Sequence, residues 1–195
     1  MTKSRIALIA LAVCCIALLS AGTAAYFTIQ ATAYNVITTG VLDMTLHEKT
    51  ADGAEPGTPL DKLPDWEDRF DVIPGESFSK IAYVENTGMQ DLFARVKIAK
   101  TVTDKDGNQL PDDVLTLTLD TTDWIEKDGW YYYKSVLTPG QSTSPLLESV
   151  HFDFMMGNEY QGATSVVTVK AQAVQAKNNS EDVMTAAGWP ADMAE

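Results

Sequence analysis

The chain contains two histidines, His47 and His151, which are its first candidates for metal binding or acid–base chemistry. A zinc protease usually presents two histidines one helical turn apart, with a glutamate general base between them. Neither histidine has a second histidine near it in the sequence, and each falls on the outward face of a predicted strand. We therefore expect two ordinary strand residues, and a metal pair brought together by the fold is the alternative.

One further pattern has the residue types for chemistry, but it is incomplete. Asp104, Asp106 and Asn108 alternate as calcium ligands do, but Gly107 comes two positions too early for an EF-hand loop and no glutamate closes it. The sequence has no Gly-x-Ser-x-Gly elbow and no glycine-rich phosphate loop before a helix. The sequence therefore predicts a protein that is not an enzyme, with no catalytic residue, no metal site and no cofactor.

An aromatic run, Trp130 followed by Tyr131, Tyr132 and Tyr133, has two interpretations. Aromatic ring faces can stack on sugar rings, which would make Trp130 and Tyr132 glycan contacts. The other interpretation is a strand that uses both faces, one toward the core and one toward a neighbouring strand or subunit.

An apolar run near the N-terminus has the layout of a secretory signal peptide. It extends from residue 6 to residue 19, follows the basic Lys3 and Arg5, and is too short to span a bilayer comfortably. It also contains both cysteines of the chain, Cys14 and Cys15. The mature protein is therefore expected to have neither a disulfide nor a thiolate metal site.

Small residues after this run place the signal-peptidase cut after Ala25. Thr23 and Ala25 occupy the positions that a signal peptidase accepts, and Tyr26 becomes the new N-terminus. Downstream, apolar and polar residues alternate, which predicts a strand with one apolar edge in the segment 26–40. The apolar positions are Phe27, Ile29, Ala31 and Ala33.

The chain of 195 residues is acidic, with 14 lysines and arginines against 27 aspartates and glutamates and a net charge of −13. Cleavage after Ala25 leaves about 170 residues, the size of one domain, with a charge of about −15. A polyanion lacks the cationic surface that nucleic acids require, and anionic lipids repel it. We therefore expect no nucleic-acid partner, and membrane contact only in the uncleaved precursor.

Short alternating segments at spacings near ten residues, without an amphipathic helix among them, predict the fold class. We expect an antiparallel β-sandwich of the jelly-roll or immunoglobulin-like kind over residues 41–176, preceded by a signal-peptide helix. The longest predicted strand turns Phe93, Arg95 and Lys97 outward. In the acidic tail, residues 177–195, a short helix ending at Gly188 is expected.

Two hairpins are predicted within the sandwich. The clearer one joins residues 124–126 to residues 130–134 through Asp128-Gly129, a pair that tolerates the positive φ angles of a tight turn. The other joins residues 92–102 to residues 114–119.

Several motifs, in order along the chain, carry a family resemblance. The first lie around the predicted cut and the strand after it: Gly22-Thr23, Ala25-Tyr26-Phe27 and Thr39-Gly40-Val41-Leu42-Asp43-Met44. Three turn motifs follow: Ile73-Pro74-Gly75-Glu76, Val84-Glu85-Asn86-Thr87-Gly88 and Asn158-Glu159-Tyr160-Gln161-Gly162. By these motifs the chain resembles the TasA and camelysin family of secreted bacterial matrix proteins. Its aromatic hairpin Asp128-Gly129-Trp130-Tyr131-Tyr132-Tyr133, followed by Leu137-Thr138-Pro139-Gly140, is similar to the BsaA-like branch of that family.

The resemblance implies a secreted structural protein of the bacterial biofilm matrix or cell surface, processed by a SipW-type signal peptidase. It also implies assembly into fibres, with itself and with other matrix proteins, by strand donation: the freed N-terminal segment of one subunit completes the sheet edge of the next. Two alternatives from other classes stay open. One is a secreted metalloprotease, the label that camelysin carries, and the other is a carbohydrate-binding adhesion module that uses the aromatic hairpin.

Overall fold

A computed structural model describes residues 28–32, 42–69 and 72–191 of the chain. Within these ranges the structure contains ten strands and three 3₁₀ turns of three residues each, and no helix is long and apolar enough to cross a membrane. The strands are β1 Thr28–Thr32, β2 Thr45–Lys49, β3 Ser77–Glu85, β4 Leu92–Thr103, β5 Gln109–Leu110, β6 Leu115–Leu119, β7 Trp124–Lys127, β8 Trp130–Tyr133, β9 Leu147–Phe152 and β10 Thr164–Gln175. The 3₁₀ turns are Leu60–Lys62, Asn158–Tyr160 and Val183–Thr185.

The strands form two antiparallel sheets. Sheet A has six strands in the order β1-β10-β4-β8-β7, with β5 added beside β4. Sheet B has four strands in the order β2-β3-β9-β6. Every paired neighbour is antiparallel. The prediction of an all-β antiparallel sandwich is therefore confirmed, while the predicted signal-peptide helix lies outside the described residues.

The main core lies between the sheets and is built by alternate residues of the facing strands. Sheet A contributes Leu92, Ala94 and Val96 from β4, and sheet B contributes Ala82 and Val84 from β3, all of them buried. The period of two along β4 predicts these inward positions correctly, because a half-buried strand must alternate to place one face on the core.

The predicted hairpin at Asp128-Gly129 is confirmed, and the other predicted hairpin is wrong. β7 pairs with β8, and both turn residues have positive φ, 54° at Asp128 and 76° at Gly129. β4 instead forms a hairpin with the two-residue strand β5, and β6 lies in sheet B beside β9. Pro111 directly follows β5 and has no N–H for a strand ladder, so the pairing with β4 ends there and the chain crosses to the other sheet.

The long loop over residues 50–69 lies along the β2 edge of sheet B, where Lys49 and Asp65 form an antiparallel bridge. Trp66 anchors the loop: it donates its backbone N–H to the carbonyl of Glu48 at 2.9 Å, and the Nζ of Lys80 lies 4.5 Å from the Trp66 ring centroid. Leu63 is buried as well and forms a second anchor. The loop therefore covers Lys80, a buried cation of β3 that also pairs with the Glu48 carboxylate at 2.7 Å.

Candidate functional site

Among the described strands, β1 forms one edge of sheet A and pairs with β10 alone. The two strands are antiparallel and in register, from Thr28 opposite Val174 to Thr32 opposite Lys170. β10 is longer than β1, so its residues 164–169 pair with β4 on one side and with none of the described strands on the other. The edge of sheet A thus consists of a short terminal strand and an adjoining open stretch of β10.

The predicted strand-donation residues fall partly within β1. Ile29 and Ala31 lie opposite Ala173 and Ala171 of β10 in the strand register. Two more of the predicted residues, Phe27 and Ala33, lie outside the described residues. The same is true of the predicted signal-peptidase site, Thr23, Ala25 and Tyr26.

The outer face of sheet A carries a buried arginine, Arg95, on β4. Its guanidinium carbon lies 4.1 Å from the Trp130 ring centroid, and Nε and Nη2 donate to the side-chain oxygen of Gln172 at 2.9 and 2.6 Å. Nη1 donates to the hydroxyl of Tyr132 at 2.9 Å. Among the described residues no carboxylate pairs with Arg95, so ring faces and neutral acceptors stabilise its charge.

The chain covers this face with its own residues 176–191, here called the C-terminal strap. The ring of Trp189 lies 4.7 Å from the guanidinium carbon of Arg95 and meets Tyr132 edge to face, with 5.6 Å between ring centroids. Nη2 of Arg95 donates to the backbone carbonyl of Pro190 at 2.9 Å. The apolar cluster between strap and sheet comprises Phe93, Trp130, Tyr132, Val174, Ala176, Val183, Met184, Ala186 and Trp189.

The strap is held in shape mostly by its own hydrogen bonds. The side chain of Asn179 donates to the carbonyls of Gln175 and Ala187 and accepts from the N–H of Ala187 and of Ser180, at distances of 2.8 to 3.0 Å. The predicted helix ending at Gly188 is wrong, because only the 3₁₀ turn Val183–Thr185 forms. Instead, the side chain of Asn179 closes the backbone into a compact loop. Its hydrogen bonds satisfy backbone N–H and C=O groups that a longer helix would satisfy internally.

The strap covers one face of the aromatic hairpin and so limits what its rings can contact. The residues on the other face of β8, Tyr131 and Tyr133, pack against the main core. Trp130 and Tyr132, the candidate glycan contacts, are only 4% and 8% exposed because the strap lies over them. β8 therefore uses both faces, and its outer rings do not form an open platform in this arrangement.

Sequence reasoning missed the residues that bury this outer face. Phe93 and Arg95 point outward as predicted, but both are buried because a segment about 90 residues away in sequence folds over them. Periodicity within a strand cannot reveal such a second layer. Trp189 is the available signal, since a large aromatic residue in a tail of small and acidic residues indicates docking on another surface.

The two histidines lie in different parts of sheet B. His47 on β2 stacks on Tyr83, with 4.8 Å between ring centroids, and its Nε2 is 2.8 Å from a Glu85 carboxylate oxygen. His151 on β9 places its Nδ1 2.8 Å from the hydroxyl of Ser77. Tyr83 and Ser77, which contact the two histidines, are six residues apart on β3, about 20 Å along a strand. The fold therefore does not bring the histidines together as a metal pair.

The Asp104 loop forms a hydrogen-bonded turn. The Asp104 carboxylate accepts from the side chain of Asn108 at 2.9 Å and from the backbone N–H groups of Asp106 and Asn108, both at 2.8 Å. The bond from the Asn108 side chain is the main reason why the pKa of Asp104 is lowered. In the described part of the chain, no group of three or more His, Cys, Asp or Glu side chains is placed to hold a metal ion.

The Glu85-Asn86-Thr87-Gly88 motif has a structural role centred on Asn86, which is fully buried. Its side-chain amide donates to the carbonyls of Gln90 and Leu137, both at 2.8 Å, and its side-chain oxygen accepts from the N–H of Gly88 at 3.0 Å. Asn86 thus ties the turn after β3 to the segment between β8 and β9. The motif stabilises one end of the sandwich.

Comparisons with known proteins add little to this geometry. No protein-family model matches the chain, and no curated protein matches it. Among solved structures, the chain is similar to a CBM3a-L domain with flanking linkers from the scaffoldin cipA of the Clostridium thermocellum cellulosome, at 10% identity over 72% of each chain. The TM-score of 0.16 is too low for this similarity to support an argument about fold or ligand.

Proposed function

We propose that this protein is a secreted structural component of a bacterial extracellular matrix and that it assembles into fibres by donating its N-terminal strand. The observation that carries the proposal is the position of β1: it is the first of the described strands, it is five residues long, and among those strands it pairs with β10 alone, at the edge of sheet A. The resemblance of the sequence motifs to the TasA and camelysin family supports the same function.

An edge strand of this kind can be exchanged between copies. β1 contributes five register pairs with β10, and the same segment of a second copy can form identical backbone pairs. Each backbone hydrogen bond contributes about 0.5–1.5 kcal/mol net. Because the exchange replaces one set of these bonds by an equal set, strand pairing alone favours neither the monomer nor the exchanged form. The nine residues between β1 and Leu42 link the donated strand to its own sandwich.

Cleavage of the signal peptide would control this exchange. Before cleavage, the segment that contains β1 continues into the membrane-targeting signal, which prevents it from threading along a neighbour's sheet edge. Cleavage after Ala25 frees the segment at Tyr26. A SipW-type peptidase would therefore act as the switch for assembly, and N-terminal sequencing of the released protein should begin at Tyr26.

The test is electron microscopy of purified protein that lacks residues 26–38, beside the protein as the producing cell leaves it. The unmodified protein should form fibres, whereas the deletion variant should remain a folded monomer because its β10 edge is intact but it has no strand to donate. Ile29→Asp should have the same effect, since a charge on the apolar edge of the donated strand cannot be buried. Gln30→Asp, at the next position of the alternation, is the matched control and should still assemble.

Two outcomes would contradict the proposal. Fibres of the deletion variant that match those of the unmodified protein would show that the segment plays no part in assembly. A deletion variant that cannot fold in any condition would show that β1 is an ordinary internal strand of the sandwich.

A further inference from the structure

The strap contacts the outer face of sheet A at a site formed by Arg95, Trp130, Tyr132 and Gln172, here called the Arg95 site. These contacts are of the kind that a peptide-binding site makes with its ligand. The strap supplies an aromatic ring, Trp189, to the guanidinium at 4.7 Å, and then a carbonyl oxygen, that of Pro190, to the same guanidinium at 2.9 Å. Proline suits this position, because its ring nitrogen carries no N–H and the residue therefore offers the site a backbone acceptor without a backbone donor. The contacts therefore define a ligand chemistry: a tryptophan followed by proline.

The strap is built as a separable unit. Its backbone is closed into a loop by Asn179, whose four hydrogen bonds are all made to the strap or to Gln175, the last residue of β10. Asp182 caps the 3₁₀ turn by accepting from the N–H of Met184 at 2.9 Å. The strap can therefore leave the sheet with these internal hydrogen bonds intact.

The contact between strap and sheet also leaves two buried side-chain donors without hydrogen-bond acceptors. The side-chain nitrogens of Gln172 and Trp189 are buried, and neither has a hydrogen-bond partner among the described residues. Burial of an unpaired donor opposes docking, because the donor gives up water without gaining an acceptor. Releasing the strap therefore costs less free energy than releasing a core segment whose polar groups are all hydrogen-bonded.

We propose that the Arg95 site is a peptide-binding site for a Trp-Pro segment and that the strap of a second copy occupies it when copies are close together. The strap of a second copy makes the same contacts as the chain's own strap, so the exchange is a domain swap. The chain's own strap prevails in dilute solution, because its tether gives it an effective concentration of about millimolar. Neighbouring copies in an assembly reach comparable concentrations, and their straps then link them.

This inference goes beyond strand donation and does not depend on it. All tests are therefore made in an Ile29→Asp background, in which the donated strand is disabled. Fibre formation then cannot produce or mask the association. Failure of strand donation and failure of strap exchange give separate results.

The first test mixes two complementary variants of the purified protein. Trp189→Ala keeps an intact Arg95 site but lacks the ring that fills it, and Arg95→Met keeps an intact strap but lacks the guanidinium. The mixture should form a one-to-one heterodimer in sedimentation, because the strap of the Arg95→Met copy enters the site of the Trp189→Ala copy. Each variant alone should remain a monomer at the same concentration, and Glu181→Gln, an exposed change within the strap, should behave as the unmodified protein.

The second test measures binding of a labelled peptide with the sequence of residues 176–191 by fluorescence anisotropy. The peptide should bind Trp189→Ala at least tenfold more tightly than it binds the protein with Trp189 intact, whose site is filled. The same peptide with alanine in place of tryptophan should lose that binding. Asn179→Ala loosens the strap without changing a residue of the Arg95 site, so it should also raise the affinity for the labelled peptide. It replaces Trp189→Ala in this test if Trp189→Ala does not fold.

Two results would overturn the proposal. One is a mixture of folded variants that stays monomeric, with folding checked by thermal unfolding. The other is a peptide that binds equally to the filled and the opened site, or to neither. In both cases the strap would be a permanent part of the sandwich.

Discussion

Replacing Asn86 by alanine should destabilise the protein more than any exposed asparagine substitution does. The change removes three hydrogen bonds of a side chain that is fully buried. The carbonyl of Gln90 loses the donor that Asn86 supplies, whereas the N–H of Gly88 keeps the carbonyl of Asp43 and the carbonyl of Leu137 keeps the N–H of Leu92, both at 3.0 Å.

The magnitude follows from the three lost hydrogen bonds. Each contributes about 0.5–1.5 kcal/mol net, so the free energy of unfolding should fall by about 3 kcal/mol. For a domain of this size, each kcal/mol lowers the melting temperature by about 2–4 °C, which gives a shift of about 6–12 °C. Urea unfolding followed by tryptophan fluorescence measures the first quantity, and a thermal scan by circular dichroism measures the second.

Asn158→Ala is the matched control, because Asn158 is exposed and lies in a 3₁₀ turn far from this network. It should change the free energy of unfolding by no more than about 0.5 kcal/mol. If Asn86→Ala costs less than about 1 kcal/mol, water or a backbone shift replaces the lost bonds. The account of the Glu-Asn-x-Gly motif as a structural tie would then be refuted.

Three further substitutions test other parts of the structure. Lys80→Met leaves the Glu48 carboxylate without its partner and should cost about 3 kcal/mol in urea unfolding, whereas a double variant that also carries Glu48→Leu should recover most of that loss. Gly129→Ala should cost about 1–2 kcal/mol through strain alone, because φ is +76° and no atom lies within 4 Å of the added Cβ. Asp104→Ala should lower stability at pH 7, and its difference from the unmodified protein should shrink as the pH falls below about 4. The reason is that a carboxylate whose pKa is lowered by folding stabilises only above its unfolded pKa, and this contribution is lost as the pH falls through the folded pKa.

The sequence predicts the elements of this fold that depend on local signals. The hairpin of β7 and β8 needs only Asp128-Gly129 between two aromatic-containing segments, and β4 needs only its alternation. The partner of β6 is not a local property. Turn residues after β4 indicate a hairpin, but Pro111 stops it after two residues, and sheet packing then decides that β6 joins β9.

In the candidate site, too, local signals predict some features and long-range packing determines the others. The alternation around Ile29 predicts a strand with one apolar edge, and residues 28–32 do form a strand, but nothing in that segment selects β10 as its partner or places it at the edge of the sheet. The Arg95 site is harder to predict, since its members come from β4, β8, β10 and the strap. A charged residue such as Arg95 at an outward strand position predicts solvent exposure, and only long-range packing of aromatic rings reverses that expectation.

Both chain-terminal segments converge on the same five residues of β10, and this predicts coupling between them. Residues 170–174 pair with β1 along the strand edge, Ala171 and Ala173 face the main core, and Gln172 and Val174 lie under or beside the strap on the outer face. The same stretch pairs with β4 along its other side, so releasing the strap by Trp189→Ala removes one of four sets of contacts that hold it. Contacts that share a strand usually couple by about 0.5–3 kcal/mol.

Amide hydrogen exchange measures this coupling strand by strand. In Trp189→Ala, the amides of β1 and of residues 170–174 should exchange about tenfold faster or more, which corresponds to about 1.4 kcal/mol of local stability. The amides of β3 and β9 should exchange at unchanged rates, because these strands belong to sheet B and, among the described residues, form no strand pairs with β1 or β10. Equal acceleration in both sheets would mean that the strap stabilises the whole sandwich, and unchanged exchange in β1 would mean that the two terminal segments act independently.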